Sequence, residues 1–332
     1  MTTIIAERVG TVGYLTLNSP ATLNALTLDM VQALRTGLSQ HQDDSQVGVI
    51  VLRSAVEKAF CAGGHMKRIR ELQLEGNTTA IEQFFTEEYA LNIAIAQCAK
   101  PYVSLVDGVA MGGGLGLSVH GSHLVATEKA MMAMPESRIG FSPDVGASYF
   151  LHRLPKHSGT WLGLTAAPVR GAQTVICGLA THFAQRENLP ALMQCLEEID
   201  LTTLSSDNAK DRISRELDAF CDSAEDPEFD NQMNERSAWF EGFDAKQIHQ
   251  RLQNSAEDNT DAKHLLELLN AGSPHSVKTT LSLLKSSLNL PLADCLSLEK
   301  ELAVKGCTHP DFIEGVRAVL VDKDKNPNWQ SS

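Results

Sequence analysis

The sequence predicts an α/β fold with a largely helical C-terminal region. In the first third of the chain, short apolar runs alternate with segments of helical periodicity. This order favours parallel strands that are joined by crossover helices. After about Gly171 the strand signals fade, and residues 187–320 mostly show the helical period. We therefore divide the chain into residues 1–200, which we expect to carry the functional site, and a helical region at residues 201–332.

Four apolar runs predict strands, at residues 13–18, 47–52, 102–106 and 124–126. Between the first two runs, Val31, Leu34 and Leu38 recur at helical spacing and predict a helix. Thr27 stands just before them and is suited to the N-cap, because its hydroxyl can accept a hydrogen bond from a free amide of the first turn. A polar, acidic stretch at residues 222–230 predicts a loop.

The composition excludes several classes of protein. A chain of 332 residues with 43% hydrophobic residues can bury a full core. Its 28 Lys and Arg against 41 Asp and Glu give a net charge of −13, which disfavours a nucleic-acid partner because phosphate binding needs a basic face. Seven cysteines, an odd number without metal-ligand spacing, favour a reducing compartment. No signal peptide and no run near the ~20 apolar residues of a membrane helix are visible, so we expect a cytoplasmic protein without a membrane partner.

Two glycine-rich segments, residues 59–65 and 112–116, each follow a strand-like run. Backbone N–H groups at such turns, and in the first turn of a helix, have no internal partner and can point at a bound group. Two such amides that converge on one carbonyl oxygen would form an oxyanion hole. The alternative is that these glycines only permit tight turns and close helix–strand packing.

Two common glycine motifs do not fit the second segment. Leu117 occupies the position of the last glycine in the dinucleotide-binding pattern G-x-G-x-x-G. His120 occupies the position of the final glycine in a nucleophile elbow around Ser118. A dinucleotide cofactor and a serine nucleophile are therefore disfavoured.

Two carboxylates follow the second glycine segment. Glu136 comes just after an apolar run, and Asp144 lies eight residues on, in a loop with Pro143 and Gly146. Carboxylates beside an oxyanion hole can divide base and binding work if their environments separate their pKa values. The alternative is that both acids cap helices or lie in solvent, and the spacing leaves this choice open.

Short motifs along the chain resemble one family when they are taken together: residues 23–27, 58–64, 87–89, 111–118, 126–129, 134–136, 143–146, 314–320 and 322–325. They are similar to the crotonase (enoyl-CoA hydratase/isomerase) superfamily, and most of all to its 3-hydroxyisobutyryl-CoA hydrolase branch. The likeness extends over nearly the whole chain. The combination of motifs is far more specific than any one of them.

The resemblance implies a crotonase-like superhelix of ββα units with a largely helical C-terminal region. It implies that the acyl thioester carbonyl of the substrate lies between the backbone amides of Gly64 and Gly113. Leu23 and Ala25 match the loop that lies along the coenzyme in this superfamily. Coenzyme A is then part of the substrate, and we expect neither a separate cofactor nor a metal ion, since the histidines show no ligand spacing.

Carried over by position, Glu136 matches the branch's catalytic carboxylate, Asp144 its second acid, and Glu88 a residue at the substrate. Hydratases of the superfamily resemble one another in a first catalytic glutamate two residues after the glycine triplet, where this chain has Gly116. Hydration of a double bond uses two acid–base carboxylates, whereas hydrolysis needs an activated water or a nucleophilic carboxylate and an oxyanion hole. Gly116 therefore favours a thioester hydrolase. The resemblance to the branch implies that it converts 3-hydroxyisobutyryl-CoA to 3-hydroxyisobutyrate and CoA in valine degradation, with Gly64 and Gly113 as its oxyanion hole.

One residue departs from the branch. His65 stands where most members have aspartate, directly after Gly64. Two interpretations of His65 remain open: it is a solvated surface side chain, or it changes the geometry of the loop. Lys323 and Lys325 can meet the coenzyme phosphates or remain solvated. Two rival functions also remain open, namely enoyl-CoA hydration or isomerisation by Glu136 alone, and acyl-CoA binding without turnover.

Overall fold

The computed structural model describes residues 2–330. Its strands, in chain order, are β1 (Ile4–Val9), β2 (Val12–Leu17), β3 (Val49–Ser54), β4 (Ala59–Cys61), β5 (Tyr102–Val106), β6 (Val109–Met111), β7 (His123–Thr127), β8 (Met131–Ala133), β9 (Val169–Arg170) and β10 (His182–Ala184). Its α-helices are α1 (Leu28–Asp43), α2 (Met66–Leu74), α3 (Thr78–Ala96), α4 (Gly113–Ser118), α5 (Ala147–Phe150), α6 (Ser158–Thr165), α7 (Gln173–Ile176), α8 (Leu189–Glu198), α9 (Ser206–Asp218), α10 (Pro227–Trp239), α11 (Ala245–Ser255), α12 (Thr260–Ala271), α13 (Pro274–Ser286), α14 (Leu292–Cys307) and α15 (Pro310–Val316).

The described chain divides into two compact units, each assembled from three stretches of sequence. The first unit comprises the residues up to Gly64, Ala90–Met132 and Val169–Asp226. The second comprises His65–Tyr89, Ala133–Pro168 and the residues from Pro227 onward. The division at residue 200 stays a prediction from the sequence.

The first unit is built on two sheets. The larger sheet has the strand order β1-β2-β3-β5-β7-β10. Strands β1 and β2 form an antiparallel hairpin that runs from the Ile4–Leu17 pair to the Val9–Val12 pair, and the other neighbours are parallel. Every residue of β2, β5 and β7 is buried, as expected for strands that are covered on both faces.

The core of the first unit lies between one face of the larger sheet and helices α8 and α9. The sheet contributes alternate residues of each strand, because successive side chains of a strand point to opposite faces. The buried cluster includes Val12, Tyr14, Val49, Val51, Val103, Leu105 and Val125 from the sheet, and Leu192, Leu196, Ile213 and Leu217 from the two helices.

The smaller sheet of the first unit has the order β4-β6-β8-β9. Strands β4 and β6 are parallel neighbours, so their carboxyl ends meet at the same edge. Strand β4 forms the first three residues of one glycine-rich segment, and β6 is followed directly by the other. The sheet therefore brings the two segments side by side.

The second unit is mostly helical. Trp161 of α6 is fully buried, and the guanidinium of Arg236 lies 4.6 Å from the centre of its ring. Arg236 also donates two hydrogen bonds of 2.7 Å to the carboxylate of Asp261. The second unit also contains an aromatic cluster. The Phe141 ring stacks on Phe85 with 5.9 Å between the ring centres, and it packs against Phe312 with 5.6 Å between the ring centres.

The four predicted strands are confirmed as β2, β3, β5 and β7, and the predicted helix is confirmed as α1. The Thr27 hydroxyl accepts a hydrogen bond of 3.3 Å from the Met30 amide, which confirms the N-cap. The loop predicted at residues 222–230 ends earlier, because α10 begins at Pro227, and proline is favoured in the first turn of a helix. Strand β10 was not predicted, since three residues are too few to show an alternating pattern.

None of the helices within residues 2–330 is both long enough and apolar enough to cross a membrane. All seven cysteines are free thiols in the structure.

Candidate active site

The two glycine segments of the first unit form a closely packed pair of turns. Gly64 forms an isolated parallel bridge with Leu26. Gly63 has a φ of +92°, and a Cβ at this position would lie 2.9 Å from the Met111 carbonyl oxygen and 3.5 Å from the Gly113 nitrogen. Only glycine permits both this backbone conformation and this approach.

The second segment is equally constrained. A Cβ on Gly114 would lie 2.5 Å from the Cys61 carbonyl oxygen, so α4 packs directly on the end of β4. Gly113 is the first residue of α4 and follows the N-cap Gly112, a position at which the amide has no acceptor within the helix. The structure therefore brings the segments that hold Gly64 and Gly113 together within one unit. Their role as an oxyanion hole stays a prediction.

The loop expected to follow the coenzyme is attached to the first glycine segment. Leu23 is 43% exposed, and its carbonyl accepts a hydrogen bond of 3.0 Å from the Ala62 amide. Ala25, two residues on, is partly exposed. Both positions are accessible enough for the predicted coenzyme contacts, which stay a prediction.

Asn24, between these two residues, is a residue that the sequence analysis missed. It is fully buried and has a φ of +59°, which asparagine tolerates better than most residues. Its side-chain amide donates to the Phe60 carbonyl at 2.8 Å and to the Ser54 hydroxyl at 2.9 Å. Asn24 therefore fixes the loop to β3 and β4, and an asparagine in a short turn is the signal that could have revealed this role.

Three acids that the sequence singled out lie together in the second unit. Glu88 projects from α3, Glu136 begins a short 3-10 helix after Pro135, and Asp144 lies in the loop before α5. Their exposed fractions are 1%, 5% and 5%. The solvated alternative for Glu136 and Asp144 is therefore excluded, because both carboxyl groups are buried.

Burial raises the pKa values of all three acids, and the charges of neighbouring acids raise those of Glu88 and Glu136 further. Burial raises the pKa of Glu136 well above its usual range, and the negative charge of Asp144 raises it further. Burial, then the charges of Asp144 and Glu136, raise the pKa of Glu88 in the same way. Burial raises the pKa of Asp144 to about 7, although a hydrogen bond from Tyr89 favours its charged form. Three such groups in one place do not all ionise near neutral pH.

The three acids differ in their hydrogen bonds, which separates their chemical roles. Asp144 accepts a hydrogen bond of 2.6 Å from the Tyr89 hydroxyl, so its carboxylate is held in one orientation. Within residues 2–330, neither Oε1 of Glu88 nor Oε2 of Glu136 has a hydrogen-bond partner. A buried carboxyl group with a raised pKa and an unpaired oxygen is suited to act as a base or a nucleophile.

Two further residues complete the cluster and were not assigned from the sequence. Tyr89 follows Glu88 in α3 and is itself buried. Glu299 of α14 is 1% exposed and accepts hydrogen bonds from the Gly146 and Ser148 amides at the start of α5, just beyond Asp144. Tyr89 belongs to the motif at residues 87–89, whereas no local sequence pattern marks Glu299.

The remaining sequence candidates have mainly local roles. His65 is the N-cap of α2, and its Nδ1 accepts a hydrogen bond of 3.2 Å from the Arg68 amide. Aspartate is a preferred N-cap residue, so His65 can supply the acceptor that the usual aspartate would provide. Gly116 is buried in α4. Lys323 and Lys325 are exposed and have left-handed φ values of 61° and 55°.

Comparison with known proteins identifies the family of the chain. Residues 12–332 match the model of the family described as enoyl-CoA hydratase/isomerase. The chain is 40% identical over 332 residues to the mitochondrial 3-hydroxyisobutyryl-CoA hydrolase of Rattus norvegicus, covering 98% of this chain and 84% of that protein. The corresponding protein of Gallus gallus is 38% identical over 328 residues, with coverage of 98% and 84%.

A solved structure extends the comparison to three dimensions. The crystal structure of a carnitinyl-CoA dehydratase from Mycobacterium thermoresistibile matches with a TM-score of 0.88 at 31% identity, covering 98% of this chain and 91% of that chain. This protein belongs to the enoyl-CoA hydratase/isomerase family. The crotonase-like fold that the sequence implied is confirmed, as is the likeness to 3-hydroxyisobutyryl-CoA hydrolases over nearly the whole chain.

Proposed function

We propose that this protein hydrolyses acyl-CoA thioesters, with 3-hydroxyisobutyryl-CoA as its substrate and 3-hydroxyisobutyrate and CoA as its products. The observation that carries the proposal is Glu136, a buried carboxyl group whose pKa is raised and whose Oε2 has no partner within residues 2–330. Gly116 supports hydrolysis over hydration, because it leaves the chain without the first glutamate of the hydratases. The relatives named as hydrolases, which match 98% of the chain, support the same substrate.

In the proposed reaction, the amides of Gly64 and Gly113 donate hydrogen bonds to the thioester carbonyl oxygen and stabilise the negative charge that develops there. Glu136 either removes a proton from the attacking water or attacks the carbonyl carbon itself. In both routes the carbon–sulfur bond breaks, and the sulfur leaves with its electron pair and is protonated. Water supplies the new oxygen of the acid when it attacks the acyl carbon. If Glu136 forms a mixed anhydride and water attacks the enzyme-side carbonyl, a Glu136 oxygen goes to the acid and the water oxygen replaces it in Glu136. Asp144 and Glu88 hold the 3-hydroxyl group and orient the acyl chain.

A raised pKa makes Glu136 a stronger base than a solvated glutamate once it is ionised. The two routes differ in what happens to the Glu136 carboxyl group. A single turnover in water enriched in heavy oxygen leaves the label in Glu136 if a mixed anhydride forms and water attacks its enzyme-side carbonyl. Direct attack by water on the thioester labels the product alone. Label in the peptide that contains Glu136, detected by mass spectrometry, therefore identifies the anhydride route, whereas label in the product alone is expected both for direct attack and for attack on the acyl-side carbonyl of an anhydride.

The experiment that tests the proposed function measures two signals on two substrates. The purified protein is incubated with 3-hydroxyisobutyryl-CoA and with crotonyl-CoA, and both free thiol and the ultraviolet absorbance of the enoyl thioester are followed. Release of thiol from the first substrate supports hydrolysis. A change in absorbance without thiol would instead show hydration, an alternative favoured by the structural match to a dehydratase. If neither thiol release nor a change in absorbance is observed, the protein binds acyl-CoA without turning it over.

The cellular location and the binding partners of the protein are predicted from the sequence. The names of the rat and chicken relatives place those proteins in mitochondria. The cytoplasmic location expected from this sequence stays a prediction, as do the absence of a separate cofactor and of a metal ion. The proposed partner is the small-molecule acyl-CoA substrate.

A further inference from the structure

Glu299 makes three short hydrogen bonds to residues that follow Asp144, namely Gly146, the N-cap of α5, and Ser148 in its first turn. Its Oε2 accepts from the Gly146 amide at 2.6 Å. Its Oε1 accepts from the Ser148 amide at 2.7 Å and from the Ser148 hydroxyl at 2.6 Å. One buried side chain, 151 to 153 residues away in sequence, therefore holds both amides and the hydroxyl.

The loop needs such a contact because its backbone conformation is unfavourable. Val145 has a φ of +56° and Gly146 a φ of +85°. The left-handed region suits glycine, but it is rare for a β-branched residue such as valine. Val145 is also buried, so the turn directly after Asp144 is held in place by its surroundings rather than by its own preference.

The carboxylate of Glu299 is a costly way to hold a loop. Within residues 2–330, no lysine or arginine forms an ion pair with it, and its pKa is raised to about 8 by burial, with a further contribution from the charge of Asp144. A neutral side chain could accept hydrogen bonds from a loop without this desolvation penalty. Gly146 is the N-cap of α5, so Glu299 accepts from free amides at the start of this short helix and fixes the turn that joins the helix to Asp144.

We propose that Glu299 is a positioning residue that fixes the backbone of Asp144, so that the Asp144 carboxylate meets the 3-hydroxyl group of the acyl chain. The Asp144 side chain is held from one direction by the Tyr89 hydroxyl at 2.6 Å. Glu299 holds the following residues of the main chain from another. This inference rests on the proposed function, in which Asp144 orients the hydroxyl group.

Glu299→Gln is the variant that tests the inference, because it keeps the size of the side chain. The amide nitrogen of glutamine cannot accept from a loop N–H, so at least one of the three hydrogen bonds is lost. We expect kcat/KM for 3-hydroxyisobutyryl-CoA to fall about tenfold or more, the effect of roughly one hydrogen bond. For isobutyryl-CoA, which lacks the hydroxyl group, we expect a clearly smaller loss.

A second variant and a double variant keep the test independent of folding. Ser148→Ala removes a single hydroxyl donor and leaves the Glu299 carboxylate and both amides in place. The selective fall in kcat/KM for 3-hydroxyisobutyryl-CoA should therefore appear again, with a smaller magnitude. If Glu299 acts through Asp144, the variant that combines Glu299→Gln with Asp144→Asn should have the same ratio of kcat/KM for the two substrates as Asp144→Asn alone. A loss of stability by itself would not produce this non-additivity.

Asp261→Asn is the matched control. Asp261 is also a carboxylate of low exposure, and it accepts two hydrogen bonds of 2.7 Å from Arg236. This variant should lower the melting temperature and leave the ratio of kcat/KM for the two thioesters unchanged.

Three outcomes are distinguishable. Selective loss on the hydroxylated substrate, with non-additivity in the double variant, supports the positioning role. Equal losses on both substrates, or additive losses, overturn that role while leaving the proposed hydrolysis intact. A wild-type protein that releases thiol from neither substrate refutes the proposed function, and the positioning role falls with it.

Discussion

Replacing Asp144 by asparagine should stabilise the fold at alkaline pH while it impairs the site. Asp144 is 5% exposed, and burial raises the pKa of its carboxyl group from 3.8 to about 7. The folded state therefore binds the proton more tightly than the unfolded chain. The stability that this proton contributes is fully present below the unfolded pKa and is lost as the pH rises through the folded pKa.

The size of the effect follows from these two pKa values. The linkage relation gives a loss of roughly 2 to 3 kcal/mol between about pH 5, where folded Asp144 is protonated, and about pH 8, where it is charged. An asparagine side chain cannot ionise, so the variant escapes this loss. Removing the charge beside Glu88 and Glu136 acts in the same direction, because their pKa values fall towards the usual range.

The assay compares the free energies of unfolding of wild type and Asp144→Asn in urea, at about pH 5 and at about pH 8. The difference between the two proteins should shift by roughly 2 to 3 kcal/mol in favour of the variant at the higher pH. Asp261→Asn provides the control, since Asp261 is ion-paired with Arg236 and its replacement should bring no gain at alkaline pH. A difference that does not change with pH would refute the buried, raised-pKa description of Asp144.

Three other variants test the remaining assignments. Glu136→Gln should lower kcat for thioester hydrolysis by about 10²–10⁴-fold and leave binding of the acyl-CoA thioester nearly unchanged. A variant that retains more than roughly a tenth of the wild-type kcat contradicts the role of Glu136. Tyr89→Phe removes the hydroxyl that favours the charged form of Asp144, so the pKa of Asp144 should rise further, and nuclear magnetic resonance titration of the labelled carboxyl carbon checks the direction. Gly116→Glu should lose thioester hydrolysis while remaining folded, because the resemblance to the crotonases predicts that a side chain at position 116 faces the acyl pocket, where a second acid would raise the pKa of the catalytic carboxyl group. Wild-type hydrolysis by a folded variant would show that position 116 is remote from the site. A collapsed melting temperature would show that the new carboxyl group is buried without a partner.

Local patterns in the sequence were sufficient for several elements of the fold. The strands β2, β3, β5 and β7 follow from apolar runs, because a strand that is covered on both faces needs apolar residues throughout. Thr27 was recognised as an N-cap, since the acceptor and its amide are only a few residues apart. The family was also recognisable from its short motifs, and the comparisons confirm it.

Other features depend on contacts that no local pattern encodes. The pairing of β4 with β6 brings the two glycine segments to one edge of a sheet, although about 50 residues of sequence separate them. His65 was singled out as a departure, and only the structure shows that it caps α2. Strand β10 is too short to produce a recognisable period.

The candidate site shows the same division most clearly. The sequence by itself determined that Glu88, Glu136 and Asp144 were candidates, because each lies in a short motif with a chemically suitable side chain. Only the tertiary structure decided that all three are buried together, that Tyr89 donates to Asp144, and that Glu299 holds the loop beyond it. Burial and proximity arise when distant segments pack against one another, and they alone raise the pKa values on which the chemistry depends.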